Sequence, residues 1–415
     1  MNRLDCIPLL LTMALVTTGC SSIGKGITEA ILEKQDQEDT RVCEIKGDKF
    51  NGIKPQLEVP KRTMKVLMVH GVGNHLPGYS TQFMEKLTKE LDLTVTSKNV
   101  KNIQLADTAV PEKPLGNLRI NRYLDASQTQ ELLFYELTWS EITAKEKEVL
   151  SYDNSGEQSF RRAEVNDLLK KFSNDTGPDP IIYLGEKRED ILSAFAQSFC
   201  WMIQGDWNSL PDEVRQVCTT KNVTPFYNDS YAFVSHSLGS RITIDGLQKI
   251  AAKLGNGETA SYYTALTNIL KNKEIPIYMM SNQLPMLQLG RSLPEVANQS
   301  AAYCRADGAK YAERIMAKTS IIAFSDPNDL LSYAIPHDFA NKYLDSRLCV
   351  NVTNININVA RVYDAFGLGK LANPMDAHVG YDTDDRVIAL IAKGIANPHT
   401  AETVKQRCRW TQTID

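Results

Sequence analysis

Basic charge is not in excess in this chain: 46 Lys and Arg stand against 50 Asp and Glu, a formal net charge of -4. No Lys/Arg run occurs either, so nothing is in place to neutralise a phosphate backbone, and nucleic acid is excluded as an expected partner. There is no C-x-x-C pair and no close Cys/His cluster. A structural zinc site therefore lacks ligands at usable spacing, and no metal or other cofactor is signalled. Internal repeats and long low-complexity tracts are missing too, which sets aside repeat arrays and disordered chains. What remains, over 415 residues with 42% hydrophobic and 23% charged positions, is the make-up of a globular protein large enough for one α/β core with an inserted lobe.

The first residues read as an export signal. Arg3 supplies a positive start, weakened by Asp5, and Ile7 to Val16 form an apolar stretch too short to cross a bilayer as a helix. Thr17-Thr18-Gly19-Cys20 resembles the lipobox of bacterial lipoproteins, with Thr17 where that motif prefers an aliphatic residue. The resemblance implies cleavage after residue 19, lipidation of Cys20, a membrane partner through that lipid and, with Ser21 next, sorting to the outer membrane of the cell envelope. An ordinary cleaved signal, giving a periplasmic or secreted product, is the alternative. Residues 20–61 are polar and aperiodic apart from a short helical stretch at Ile27 to Lys34, and read as a tether. Six cysteines then remain, Cys43, Cys200, Cys218, Cys304, Cys349 and Cys408. Disulfides are plausible for an oxidising compartment, in pairings the sequence does not reveal.

Residues 62–415 read as one domain. Lys65 to Val69 is a short apolar run ending in His70-Gly71-Val72-Gly73, which suits a buried strand delivering a glycine-bearing loop. Ser80 to Leu93 follows with helical spacing. Leu132 to Trp139, Tyr231 to Val234, Ile275 to Met280, Ser320 to Phe324 and Ile355 to Val362 are further strands, interleaved with helices such as Arg241 to Leu254 and Arg386 to Ile395. This alternation predicts an α/β fold, a mainly parallel central sheet flanked by helices. The interval 140–228 breaks the rhythm, and its apolar, aromatic-rich stretch Ile191 to Trp207 is read as part of an inserted helical lid or cap. A core helix of the main sheet is the alternative.

The strongest local signal is Tyr231 to Arg241, a strand running into a sharp turn and a helix around Ser235-His236-Ser237-Leu238-Gly239. Small flanking residues are what a strained strand-turn-helix needs to hold a serine hydroxyl clear of its own backbone. Ser235 stands where G-x-S-x-G has its first glycine. On these residues the chain resembles the α/β-hydrolase superfamily of serine esterases and lipases, from Lys65 to the C-terminus with the insertion interrupting. The resemblance implies Ser237 as nucleophile and an oxyanion hole built from the Val72 and Leu238 amides beside the His70-Gly71 loop. It places the triad acid in Ile321 to Ser332, where Asp329 is preferred and Asp326 is the alternative, and the triad histidine at His378 in Asp376-Ala-His-Val-Gly-Tyr381. His337 and His399 are the only other histidines after the acid.

The implied activity is cleavage of acyl or lipid esters through an acyl-enzyme. Acyl transfer, or a non-catalytic envelope lipoprotein using the fold as a binding module, are the alternatives. The bland reading holds elsewhere. His70 and His236 pack or position their loops, Gly367-Leu-Gly369-Lys370 is no P-loop, and Asp382-Thr-Asp-Asp385 caps a helix.

Overall fold

The computed structural model describes residues 41–154, 160, 162–219, 224–255, 261–364 and 370–411. The signal, Cys20, the helical stretch at Ile27 to Lys34 and Gly367 to Gly369 lie outside the described residues.

Thirteen strands are described: β1 (Cys43–Lys46), β2 (Thr63–Val69), β3 (Thr94–Ala106), β4 (Pro114–Leu124), β5 (Glu131–Thr138), β6 (Val214–Gln216), β7 (Ser230–His236), β8 (Glu274–Met280), β9 (Lys318–Ser325), β10 (Val350–Ile357), β11 (Val362–Asp364), β12 (Lys370–Ala372) and β13 (Cys408–Thr411). Eleven join one sheet in the order β13-β1-β10-β9-β8-β7-β2-β5-β4-β3-β6, while β11 and β12 form a separate hairpin. From β10 across to β5 every neighbouring pair is parallel. The parallel strands are apolar on both faces because both are covered: Leu67 and Val69 of β2 join one core, Val66 and Met68 the other.

The helices that matter for the site are α1 (Thr81–Glu90), α2 (Glu141–Lys147), α3 (Glu164–Thr176), α4 (Pro178–Leu184), α5 (Arg188–Gln204), α6 (Leu238–Gly255), α7 (Pro374–Val379) and α8 (Asp385–Lys393). Helices α5 and α6 bury Phe195, Phe199, Ile242 and Leu247 on one face of the sheet, and α1 and α8 bury Phe83, Leu87, Val387 and Ile391 on the other. Asp384 caps α8, accepting hydrogen bonds from the amides of Arg386 and Val387, as the Asp382 to Asp385 run leads one to expect. Among the described residues no helix is long and apolar enough to cross a membrane.

The structure departs from the sequence reading in four places. The aromatic stretch 191–207 is a core element, the alternative given for it above: Ile191, Phe195, Phe199 and Met202 of α5 are all buried with the sheet. Two long strands, β3 and β4, pair antiparallel beside β5 and make the sheet mixed. They are half-buried, with Leu118 and Ile120 inside while Arg119 and Asn121 stay partly exposed, so they lack the continuous apolar runs by which the central strands were read.

Third, the stretch read as a tether enters the fold at Cys43. Strand β1 pairs antiparallel with β10 and parallel with β13, too short to display a period of its own. Finally, the strand expected at Ile355 to Val362 ends at Ile357, and Val362 begins β11. Three disulfides form, Cys43–Cys408, Cys200–Cys218 and Cys304–Cys349.

Candidate functional site

Strand order reverses at β2: the chain leaves it for β5 on one side and returns through β7 on the other. Loops diverge from the C-terminal ends of strands at such a point and leave a crevice, where open α/β sheets place their ligands. Both halves of the predicted site stand there, the 70–75 loop after β2 and Ser237 after β7.

Ser237 adopts a left-handed conformation, φ 54°, between β7 and α6. A non-glycine residue there carries about 1–3 kcal/mol of backbone strain, which surrounding bonds must hold. The Ser237 amide donates to Met280 O of β8 at 3.0 Å, and the Ser240 amide donates to Ser237 O at 3.0 Å. The turn is tight enough that Gly239 admits no side chain, since a Cβ there would lie 2.3 Å from Val69 O. Ser235, in place of the motif's first glycine, is fully buried on regular strand and is accommodated. Leu238 opens α6, so its N–H has no acceptor within the helix.

The 70–75 loop touches this turn. A Cβ on Gly71 would come within 2.7 Å of Ser237 Cβ, which is the physical need for glycine after His70. His70 is buried and stacked on Trp139 with ring centroids 4.7 Å apart. Its Nε2 accepts from the Trp139 amide at 3.1 Å and its Nδ1 lies 2.8 Å from Gly71 O, so the ring is neutral with its proton on Nδ1. Burial holds His70 well below the usual histidine pKa, and His75 adds to the effect. This histidine shapes the loop.

The acid and the histidine meet. His378 Nδ1 lies 3.0 Å from Asp329 Oδ1, on α7 and the loop after β9 respectively. Asp326 is instead a turn-former: its Oδ1 accepts from the amide and side chain of Asn328, and its Oδ2 from the Ala360 amide. His337 is exposed and His399 pairs loosely with Glu58 at 3.7 Å. Burial raises the Asp329 pKa, but hydrogen bonds from His378 and Ser281, the charge of His378 and the Leu331 amide outweigh it and leave the carboxyl below its usual value.

Ser281 was missed by sequence reasoning. Its hydroxyl donates to Asp329 Oδ2 at 2.7 Å and lies 3.0 Å from His378 Nδ1, and it too is left-handed, φ 49°, and fully buried. It follows Met280, whose carbonyl fixes Ser237. No motif carries it; the signal would have been a small polar residue ending a strand beside the nucleophile strand. His236 completes the group, its Nε2 2.8 Å from His378 O, with burial and the neighbouring His378 charge lowering its pKa to about 3.

Ser237 and His378 are not joined by a hydrogen bond: Ser237 Oγ is buried and without a partner among the described residues. No His/Cys/Asp/Glu group able to hold a metal ion occurs among the described residues. The chain matches no protein-family model, no curated protein and no solved structure, so its chemistry is read from these side chains alone.

Proposed function

We propose that this chain is a serine hydrolase cleaving carboxylic esters through an acyl-enzyme on Ser237. His378 is the general base and then the general acid. Asp329 orients its imidazole and stabilises the charged form, and the Val72 and Leu238 amides receive the oxyanion. The observation that carries this reading is the strained, buried Ser237 at the strand-order switch, next in sequence to His236, whose ring bonds the carbonyl of His378, a histidine whose Nδ1 is held by Asp329 and Ser281. In the described conformation the hydroxyl is closed off from solvent, so an ester reaches it only when the surrounding loops move.

An acyl or lipid ester is the proposed substrate class. Three segments that carry site residues also expose large apolar side chains: Leu76 after the oxyanion loop, Leu330 beside Asp329 and Val379 beside His378 at the end of α7. Lipidation of Cys20 and a place in the bacterial envelope, at the outer membrane, belong to the same reading, as does a cap formed by α2 to α4. A non-catalytic binding module is the second reading, and the missing Ser237–His378 bond is what favours it.

Fluorophosphonate labelling of the signal-free protein beside Ser237→Ala separates the two. The hydrolase reading expects labelling and turnover of p-nitrophenyl esters, both abolished in a variant that keeps its melting temperature. A folded wild type that neither labels nor turns over ester leaves the binding module.

A further inference from the structure

Three consecutive amides of the oxyanion loop are captured by side chains of the 140–179 segment. Gly73 N–H donates to Asp179 Oδ2 at 2.6 Å, Asn74 N–H to Asp175 Oδ2 at 3.1 Å and His75 N–H to Ser140 Oγ at 3.2 Å. The Ser140 hydroxyl returns a bond to His75 O at 3.0 Å, and His75 Nε2 lies 3.2 Å from Val72 O. Asp179, on α4, is completely buried. A buried carboxylate is costly unless paired, and its partner is Lys147 of α2, with Nζ 2.9 Å from Oδ2 and 2.8 Å from Oδ1. Lys147 Nζ also donates to Asp175 O at 2.6 Å, tying α2 to the end of α3 and through it to the loop.

We propose that Asp179, backed by Lys147 and Asp175, is a positioning residue that holds the 72–75 backbone so that the Val72 amide faces the oxyanion position over Ser237. The inference rests on the hydrolase reading and assigns the segment before α5 a defined task. It is the strut of the oxyanion loop, and its buried Asp179 carboxylate reaches the amide directly after Val72. The geometry gives the reason. A preorganised donor acts only if its backbone does not have to reorganise as negative charge develops, and a surface loop without such anchors would have to be ordered at each turnover. Asp179 itself never touches substrate in this scheme, so its loss should be felt in the tetrahedral state and not in ground-state binding.

The test compares full-length Asp179→Ala and Asp179→Asn with wild type. Three quantities are read: kcat and KM for p-nitrophenyl butyrate, the Ki of phenylboronic acid, whose tetrahedral adduct on Ser237 fills the oxyanion position, and hydrogen exchange of the 70–76 backbone. Asp179→Ala should lose about 10- to 100-fold in kcat with KM within about twofold, and weaken the boronate by the same factor. Asp179→Asn, which keeps an acceptor for Gly73, should recover most of both. Exchange of the 70–76 amides should speed up in the alanine variant. If Asp179→Ala does not fold, Asp175→Ala, at a partly exposed position, should move kcat and boronate Ki together in the same direction.

Unchanged kcat and boronate affinity in an active protein overturn the proposal and leave the hydrolase reading standing. A loss confined to KM overturns it as well. A wild type that neither labels nor turns over fails the hydrolase reading; unaltered exchange at 70–76 in Asp179→Ala then overturns the clamp independently.

Discussion

Ser281 sits in Met279-Met280-Ser281-Asn282 with nothing around it that resembles a motif, yet its hydroxyl bridges the acid and the histidine. The residues legible in the sequence were those whose chemistry forces a local pattern. Ser237 needs small neighbours at its turn, Gly71 and Gly239 need close approach, and His378 follows the last long strand of the parallel series. Ser281 is bound only by distance in space, and although Asp329 was already preferred in the sequence, nothing there showed that the Asn328 and Ala360 amides claim the Asp326 carboxylate. Removing the hydroxyl takes one hydrogen bond from an ionised carboxylate and loosens the imidazole. On the scale of a charge-assisted bond of about 1.5 kcal/mol, Ser281→Ala should cost about tenfold in kcat with KM unchanged. The same variant reports on acid stability. A carboxyl held below its ordinary pKa contributes stability above that value and loses it as pH falls through the depressed one. Without Ser281, Asp329 is less depressed, so the melting temperature should start lower at neutral pH and fall by less on acidification below about pH 4 than in wild type. Identical kcat and identical acid profiles would remove Ser281 from the network.

Helices were legible where an apolar stripe repeated, but how they are fastened to one another was not. The Arg241 and Asp245 pair on α6 is an ordinary i, i+4 spacing, and read alone it is a surface ion pair of little worth. In the structure Asp245 is fully buried and receives Arg241 at 2.7 Å, Arg291 of the loop after β8 at 2.6 Å, Arg188 of α5 at 3.1 Å and the Tyr183 hydroxyl of α4 at 2.7 Å. Burial would raise its pKa, and the guanidinium groups with Tyr183 outweigh burial and hold it down. One carboxylate thus fastens α4, the core helix α5, the helix that follows Ser237 and the loop beyond β8. This explains why the aromatic helix belongs to the core: it is pinned at its first residue to α6 and packed along its length on the sheet. Asp245→Ala would leave three guanidinium groups facing one another without their shared acceptor. A loss of about 3–5 kcal/mol is expected, read as a fall in the urea midpoint at unchanged slope. A loss below about 1 kcal/mol would mean that water replaces the carboxylate and the junction is not what holds these helices together.

The whole sheet is where sequence reasoning had least purchase, because its outer strands are defined by partners far along the chain. β1 is four residues long and lies between β10 and β13, and Cys43 is bonded to Cys408 across 365 positions. Local polarity made residues 20–61 look like a tether. Strand β1 instead covers an edge that would otherwise present the unpaired backbone of β10, and its disulfide closes nearly the whole described chain. The two readings separate in a truncation pair. Removing residues 1–40 keeps β1 and its disulfide and gives the reference melting temperature. Removing residues 1–61 strips β1, frees Cys408 and opens the β10 edge. Losing a long-range cross-link together with an edge strand should lower the melting temperature by on the order of 5–10 °C and promote association at the new edge. Fluorophosphonate labelling of Ser237 in the soluble fraction should survive well below that temperature, because the strand ends at β2 and β7 that hold Ser237 lie several strands away from β1. Equal melting temperatures for the two truncations would return residues 41–61 to the role of a tether and assign the stability of this edge to β10 and its neighbours alone.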